Sequence, residues 1–430
     1  MTRFVCKLYE SDSFSVENAI TVNPNNTSFY HYTLWRKEPT HLYQIPRYFE
    51  KGALDLFYIA LVVFYADRAV KRSEQPDGWT RSFEIYMPVL EYSKWCALKD
   101  SLQKALNFLT GDQWTFHFRN RFCITEQEEA YKKGKWRLRK STKLIDTEEF
   151  CMLSGGLDSY IGAINLLSDN KNVVFVGNYN GGKGVSVYQN KVIEEIVAHF
   201  GISRERFFQF YAAPLRANEE STRSRSLLFF SHAILLASGM GKPMRICIPE
   251  NGMISLNIPL TIHRTGSLST RTTHPYYIAL LQNIINGLGL SIALYNPFQF
   301  KTKGEMMMEC KDFDFLKSTY PLTMSCSHPD LGRWRKESGS SHCGVCLPCT
   351  IRRAAILKAG LHDESIYRDP NYRDNEAQIN LRSFKLGLLT PKNPMLAIQE
   401  SGPIRDKRDM YAQLYQRGLK ELDDYIKTIE

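Results

Sequence analysis

The clearest chemical pattern in the sequence is Ser-Gly-Gly-Leu-Asp-Ser at residues 154–159. It lies between an apolar run and a helix-like run, where the free N–H groups and positive dipole end of a helix attract anions. The two glycines let the backbone approach a phosphate closely, and the two serine hydroxyls can donate hydrogen bonds to it. Asp158 can help to hold Mg²⁺ against the phosphates. The pattern predicts a phosphate-binding loop.

Two other interpretations of this stretch were considered. A Walker A loop requires a lysine directly after its last glycine, and no lysine follows here. A glycine-rich tight turn with an N-capping serine, common between strands and helices, needs no ligand at all and stays open as the alternative.

A second pattern comes from four cysteines: Cys326, Cys343, Cys346 and Cys349. A C-x₂-C-x₂-C run with one more cysteine upstream can supply four thiolates to a tetrahedral Zn²⁺. A [4Fe–4S] cluster is the competing interpretation, because the same compact run occurs in ferredoxins. His328 or His342 can in principle replace one thiolate. The other six cysteines are typical of small buried apolar residues.

The alternation of short apolar runs with amphipathic runs predicts the strands and helices that position these residues. Short apolar runs alternate with longer amphipathic runs between residues 144 and 300, as is typical of β-α-β units. Strands that are apolar on both sides favour a parallel sheet covered by helices on both faces. Ligands bind such sheets at the carboxyl ends of the strands, which is where the 154–159 loop follows the first apolar run.

The chain divides into three predicted parts. Residues 1–143 contain helix candidates at 51–72 and 92–109 beside strand-like runs, which predicts an α+β domain for partner binding. Residues 144–361 carry both chemical patterns and form the predicted α/β domain. Residues 362–430 are predicted to be a helical extension.

Composition limits the function classes. A chain of 430 residues with 43% apolar residues can bury a sizeable core. The best membrane-span candidate, residues 53–66, is too short and predicts a buried helix, and the N-terminus lacks a signal pattern, so we expect a cytoplasmic protein without a membrane partner. The formal charge of +10 suits an anionic ligand. Direct nucleic-acid binding is possible but not favoured, although basic residues cluster at 132–143.

The S-G-G-x-D-S loop resembles the PP-loop of ATP pyrophosphatases, which split ATP into AMP and pyrophosphate while adenylating a substrate. Combined with the closing C…CxxCxxC element, residues 147–361 resemble the 7-cyano-7-deazaguanine synthase (QueC) family. The resemblance implies an adenine nucleotide alpha hydrolase-like, Rossmann-like core with a zinc element at 326–349. It also implies ATP, Mg²⁺ and Zn²⁺ as cofactors and a 7-deazaguanine-type small molecule as substrate.

The same resemblance assigns residues to roles. Charge neutralisation at the phosphates falls to Arg225 and Lys303, with Asp158 as the third catalytic residue, and Glu250 lies in the substrate segment. The cysteines named above are the metal ligands. The predicted nucleotide-binding residues are Leu153, Ser154, Gly155, Gly156, Leu157, Asp158, Ser159, Asn178 and Tyr179.

Departures from the family are also informative. Tyr160 stands where the family usually has Thr or Ser, and sixteen residues separate Cys326 from Cys343. The long extensions at both ends resemble QatC, the enlarged QueC-like component of a bacterial antiphage defence system. That resemblance implies a ligase that adenylates a 7-deazaguanine carboxylate and joins it to an amine, the N-terminus of a partner protein from the defence operon.

Three other functions stay open from the sequence. One is a free-standing 7-cyano-7-deazaguanine (preQ₀) synthase that uses ammonia. Another is a non-catalytic nucleotide-binding subunit of a defence complex. The third is different PP-loop chemistry, such as tRNA modification.

Overall fold

The computed structural model describes residues 1–32, 34, 42–121, 124–133, 143–179, 183–215, 217–259, 271–330 and 339–429. Most of the basic run at 132–143 therefore lies outside the described residues, as do 180–182 and 331–338. The strands of the described part are β1 (Thr2–Cys6), β2 (Ala19–Val22), β3 (Tyr30–Tyr32), β4 (Ser82–Val89), β5 (Gln113–Asn120), β6 (Glu149–Met152), β7 (Val173–Tyr179), β8 (Phe207–Pro214), β9 (Met244–Cys247) and β10 (Ile292–Tyr295).

The helices of the described part are α1 (Lys51–Ala69), α2 (Tyr92–Thr110), α3 (Glu126–Lys132), α4 (Leu157–Ser168), α5 (Lys183–Phe200), α6 (Arg225–Ser238), α7 (Gly252–Leu256), α8 (Pro275–Gly287), α9 (Lys303–Met308), α10 (Phe313–Thr319), α11 (Leu347–Lys358), α12 (Asn375–Leu389), α13 (Pro394–Ser401) and α14 (Arg408–Ile426). Each strand and helix predicted between residues 144 and 300 is present.

The larger sheet has the order β10-β9-β6-β7-β8-β3. Its first five strands are parallel, and β3 pairs antiparallel with β8 at the edge. Successive residues of β6 face opposite sides of the sheet. Phe150 belongs to the core with α1, α6 and α8, whereas Cys151 belongs to the core with α4, α5 and α9. Both faces are therefore covered by helices, which confirms the predicted α/β class.

A second sheet, in the order β2-β1-β4-β5, lies in the first 120 residues, and its described pairings are all parallel. The sequence predicted helices and strands here, but not this parallel order. Helix α1 is buried along residues 52–67 and packs against α6 on one face of the larger sheet. The N-terminal part thus shares a hydrophobic core with the larger sheet.

No helix of the described residues has the length and apolar character needed to cross a membrane. Helix α1 is the most apolar of the long helices, and its burial is explained by contacts within the chain. The prediction of a buried helix at 53–66 is confirmed.

Buried charges also join the N-terminal part to the segment that precedes α6. Asp67, at the end of α1, accepts hydrogen bonds from the Ser224 backbone N–H at 2.9 Å and the Ser224 hydroxyl at 2.6 Å. Arg81 donates to Asp67 at 2.5 Å and to Asp112 at 2.8 Å. These carboxylates and the guanidinium are inaccessible to solvent, so each charge depends on its partners.

We expect Asp67→Asn to lower the free energy of unfolding by about 3 kcal/mol, because it leaves the buried Arg81 charge incompletely compensated. Urea denaturation followed by circular dichroism measures this difference. Asp100→Asn, on the exposed face of α2, is the matched control and should change stability by less than about 0.5 kcal/mol. Equal stability of the two variants would contradict the prediction.

Candidate functional site

The loop between β6 and α4 is closed by its own serines. The Ser159 hydroxyl donates to the Gly156 carbonyl at 2.9 Å and accepts from the Ser154 backbone N–H at 3.2 Å. The Ser154 hydroxyl accepts from the Gly156 N–H at 3.2 Å, and the two hydroxyl oxygens lie 3.1 Å apart. Ser154 and Ser159, which are both predicted to bind nucleotide, therefore also hold the loop in its conformation through hydrogen bonds.

Gly155 is required by this geometry. Its φ of +84° lies in the region that L side chains rarely adopt, and a Cβ there would lie 3.0 Å from the backbone nitrogen of Gln189. The Gly155 carbonyl accepts a hydrogen bond from the Met324 N–H at 2.9 Å. A larger residue at 155 would separate the loop from α5.

Asp158, in the first turn of α4, lies at the centre of a buried cluster. Its Oδ1 is 2.5 Å from the Lys303 ammonium, and its Oδ2 accepts from the Asn251 side chain at 2.6 Å and backbone at 3.1 Å. Lys303 begins α9, which is capped by reciprocal hydrogen bonds between Thr302 and Glu305. The structure thus brings together two residues that are 145 positions apart in the chain.

Glu250 completes the cluster as a second carboxyl group. Burial, followed by the neighbouring Asp158 charge, raises the pKa of Glu250 well above its usual range. Burial opposes ionisation of Asp158 as well, but Lys303 and hydrogen bonds from Glu250 and Asn251 together lower its pKa. The two carboxyl groups therefore share one proton, carried by Glu250, and the two remaining charges are the Asp158 carboxylate and the Lys303 ammonium.

A bound cation would strengthen the binding of an anion by this arrangement. The loop and the N-terminus of α4 attract a phosphate, but Asp158 repels it. A divalent cation held by the two carboxylates would remove that repulsion and displace the proton from Glu250. Oxygen ligands from two acidic residues suit Mg²⁺.

Gln189 and Asn251 were missed by the sequence analysis. The buried Gln189 side chain donates to the carbonyls of Leu153 at 3.2 Å and Asn178 at 3.3 Å, so α5 ties together the carboxyl ends of β6 and β7. Asn251 both binds Asp158 and caps α7 through the Ile254 N–H. The only sequence signal for Asn251 was its position beside Glu250.

The other predicted residues have different surroundings. Leu153 and Leu157 are buried in the core that covers one face of the larger sheet. Tyr179 stacks on Tyr211, with ring centroids 5.5 Å apart. Tyr160 also points into the core, where its hydroxyl donates to Thr319 at 2.9 Å.

The described contacts of Arg225 are with residues outside the Asp158 cluster. Its guanidinium lies 5.1 Å from the centre of the Phe229 ring, and burial, followed by Arg68, lowers its pKa. The described residues show no ion pair between Arg225 and Asp158 or Glu250. Its predicted contact with phosphate charge remains a prediction.

The four cysteines converge, as predicted. All four sulfur atoms lie within 4.8 Å of one another, with Cys326 and Cys346 4.0 Å apart and Cys343 and Cys349 3.9 Å apart. A tetrahedral zinc ion with Zn–S bonds of about 2.3 Å requires sulfur atoms about 3.8 Å apart. An iron–sulfur cube binds each thiolate to a different iron atom and needs wider spacing. The cluster therefore fits one zinc ion.

Neither histidine replaces a cysteine among these ligands. His342 lies behind the cluster, with Nδ1 3.9 Å from Cys349 Sγ and Nε2 3.1 Å from the Thr323 carbonyl oxygen. The His328 backbone N–H donates to Cys326 Sγ at 3.3 Å. Both residues are neighbours of the thiolates, and such outer contacts orient metal ligands.

A chain of hydrogen bonds connects the cysteine cluster to the loop. Arg352, buried in α11 three residues after the last cysteine, donates to the Thr323 hydroxyl at 2.6 Å and the Tyr320 carbonyl at 2.8 Å. Met324, the residue after Thr323, donates its backbone N–H to the Gly155 carbonyl. Helix α11 also packs against α9, which carries Lys303. The metal element therefore supports both sides of the Asp158 cluster.

Comparison with known proteins gives one partial match. A stretch of 82 residues, 19% of this chain, is 30% identical to the 7-cyano-7-deazaguanine synthase of Rhizobium rhizogenes. The match covers 30% of that protein, so the chain spans less than a third of the length of the curated relative. No family model matches the chain. The likeness supports a QueC-like, PP-loop type of nucleotide-using enzyme.

Glu250→Gln should be at least as stable as the unmodified protein at neutral pH, because the amide replaces a carboxyl group that is already protonated. In the unmodified protein, Glu250 keeps a proton that the unfolded chain loses above about pH 4.5, so its contribution to stability falls as pH rises. The stability of Glu250→Gln relative to the unmodified protein should therefore increase by up to about 1.4 kcal/mol per pH unit. Urea titrations from pH 5 to pH 8 measure the trend. A pH-independent difference would contradict the shared proton.

Cys349→Ser should reduce bound zinc from one ion per chain to well below one. Its sulfur is fully buried beside Cys343, and its loss leaves three of the four thiolate ligands. Mass spectrometry of metals in the purified protein measures the stoichiometry, with Cys310→Ser, in the core outside the cluster, as the control. Full zinc occupancy in Cys349→Ser, or iron in place of zinc, would contradict the assignment.

Proposed function

We propose that this chain is an ATP-dependent ligase that forms AMP and pyrophosphate while activating the carboxylate of a 7-deazaguanine. The observation that carries the proposal is the buried cluster of Asp158, Glu250 and Lys303 beside a glycine loop at the carboxyl end of β6. The partial likeness to a 7-cyano-7-deazaguanine synthase supports the choice of substrate.

The loop and α4 bind the triphosphate in this proposal. Gly155 and Gly156 lie at the N-terminus of α4, whose backbone N–H groups attract phosphate, and the Ser154 and Ser159 hydroxyls can turn from each other toward phosphate oxygens. Asp158 and Glu250 would hold Mg²⁺, which supplies charge neutralisation at the phosphates when bound. Asn178 and Tyr179 lie at the end of the neighbouring strand, at the predicted nucleotide edge.

Lys303 stabilises charge in the reaction step. A carboxylate oxygen of the deazaguanine attacks the α-phosphorus of ATP, the bond to the β-phosphate oxygen breaks, and pyrophosphate leaves. The Lys303 ammonium, fixed by Asp158 and by the cap of α9, stands where this negative charge moves. An amine then attacks the acyl carbon and AMP leaves with the electron pair. The chain contributes position and charge rather than a covalent intermediate.

The acceptor in this proposal is the N-terminal amine of a partner protein in antiphage defence, and the protein acts in the cytoplasm. The C-terminal helices expose Ile379, Leu386 and Leu389 on α12, with side chains 60–80% accessible. Apolar side chains grouped on one helix favour a protein contact. The N-terminal part, residues 1–143, and the extension, residues 362–430, supply the surface that a protein acceptor requires.

A second candidate is the ammonia-using 7-cyano-7-deazaguanine synthase, because the partial match is to a protein of that name. The two candidates share the first adenylation step. With ammonia that step gives an amide, and a second ATP must activate the amide oxygen so that it leaves with AMP and the nitrile forms. A non-catalytic nucleotide-binding subunit is a third possibility, but the retained Lys303–Asp158 pair and the shared proton favour chemistry.

Asp158→Asn should reduce pyrophosphate release from ATP and 7-carboxy-7-deazaguanine by at least about 100-fold, because it removes the cation ligand and frees Lys303 from its partner. A coupled pyrophosphate assay measures the rate. Asp314→Asn, exposed on α10, is the matched control and should retain full activity. Unchanged turnover in Asp158→Asn would contradict the proposal.

The acceptor is tested separately by mass spectrometry. We expect a partner protein encoded beside this chain, when co-expressed with it, to gain the mass of the acylating deazaguanine on its N-terminal amine. Efficient nitrile formation with ammonium and no protein would instead support the synthase. No pyrophosphate release with any combination would support the non-catalytic subunit.

A further inference from the structure

Helix α12 is apolar on two opposite faces. One face belongs to the core that the helix forms with α11 and α14. The other face presents Ile379, Leu386 and Leu389, whose side chains are 60–80% exposed. A surface helix normally carries charged and polar residues on its outer side. The outer face of α12 therefore has the composition of a contact surface.

A groove adjoins this face where α12 ends. It lies between the end of α12, the start of α13 and the side of α14, and it contains about 940 Å³ of empty space, its open side included. Leu388, Leu419 and the rings of Pro391 and Pro394 give it apolar walls. We name the outer face of α12 together with this groove the α12 surface. The groove has room for several side chains of another molecule.

The free charges of the α12 surface are basic. Arg382 and Lys385 are exposed on α12, and Lys420 is exposed on the α14 wall of the groove. None of these three cations forms an ion pair with the described residues. Glu400 of α13 and Asp423 of α14 each pair with a lysine of this chain. The surface therefore offers three cations to carboxylates that come from another molecule.

The dimensions of the α12 surface suit a short helix. Ile379 and Leu389 are ten positions apart, which corresponds to about 15 Å along α12, or nearly three turns. A helix that docks here needs apolar residues at spacings of three and four positions on one side. Acidic residues beside that stripe would meet the cations of α12. The groove then takes the side chains at one end of the docked helix.

We propose that the α12 surface docks an acidic amphipathic helix of the acceptor protein. Docking of this kind rests on the proposed function, in which a protein amine receives the deazaguanine. The apolar side of the acceptor helix contacts Ile379, Leu386 and Leu389, and its carboxylates pair with Arg382 and Lys385.

The docked helix is separate from the amine that reacts. Glu421 of α14 lies against Gly304 of α9, beside Lys303, whereas Leu419 of the same helix lines the groove. The α12 surface and the candidate site therefore lie on different sides of α14, and an N-terminal segment of the acceptor extends from one to the other. Docking then raises the local concentration of the amine and leaves the chemical step to the Asp158 cluster.

Two other occupants are less compatible with the α12 surface. A second copy of this chain that used the same face would bring Arg382 and Lys385 close to identical cations. An anionic membrane would attract the cations, but a bilayer surface does not enter the groove beside Leu388. The concave shape and the free cations together favour an acidic helix.

The test measures conjugation of the protein encoded beside this chain while the concentration of that acceptor is varied. Leu386→Glu and Arg382→Glu should each raise KM for the acceptor by about 10-fold and leave kcat unchanged, because docking contributes equally to the ground state and the transition state. KM for ATP and for 7-carboxy-7-deazaguanine should stay constant. Leu357→Glu, at an exposed apolar position near the end of α11, is the matched control and should retain the original KM for the acceptor.

The outcomes separate docking from the proposed function. An unchanged KM for the acceptor in both variants, or a lower KM in Arg382→Glu, would overturn the docking and leave the ligase intact. If no conjugate forms, the ligase fails, and calorimetric titration with the same neighbouring protein decides the docking. Binding that Leu386→Glu weakens at least about 10-fold, and that added NaCl weakens as well, supports it. Absent or unaffected binding overturns it.

Two further measurements identify a different occupant. Sedimentation velocity would show a second copy on the α12 surface if the unmodified protein is a dimer that Leu386→Glu dissociates. Flotation with phosphatidylglycerol vesicles would show a membrane contact if the unmodified protein binds and Leu386→Glu does not. Either result would overturn the docking of an acidic helix.

Discussion

The buried contact between Asp158 and Lys303 is the interaction on which the candidate site depends. It joins the helix after the glycine loop to the start of α9, although the two residues are 145 positions apart in the chain. Because Glu250 lies beside the pair, the cluster contains two carboxyl groups and one ammonium, and one shared proton balances the charge. A cation and a polyanion can replace that proton together, which is the condition for phosphate chemistry at this sheet edge.

Elements far from the loop maintain this geometry. The cysteine cluster lies at the start of α11. Arg352 of that helix donates a hydrogen bond to the Thr323 hydroxyl, and the residue after Thr323 donates its backbone N–H to the Gly155 carbonyl. From the other side, Arg417 of α14 contacts Glu305 in the cap of α9, directly behind Lys303. The cysteine cluster and a C-terminal helix thus both support the elements that carry Asp158 and Lys303, and the C-terminal extension is structurally connected to the candidate site.

Local pattern and spacing were sufficient to predict the larger sheet, its covering helices, the glycine loop and the convergence of the four cysteines. These features depend on residues close in sequence or on a regular period. The positions of Gln189 and Asn251 could not be predicted, since each acts through a contact made only when distant elements pack. Arg225 lies over the Phe229 ring, and its role at the phosphates stays a prediction. The parallel order of β2-β1-β4-β5 likewise depends on long-range pairing.

Strand β3, which pairs antiparallel at the edge of the larger sheet, affects the tendency of the chain to aggregate. It pairs with the last three residues of β8, 212–214. An unpaired strand edge is a template for intermolecular strand addition. A shortened chain that begins after β3 would therefore leave this end of β8 open to pairing with another molecule.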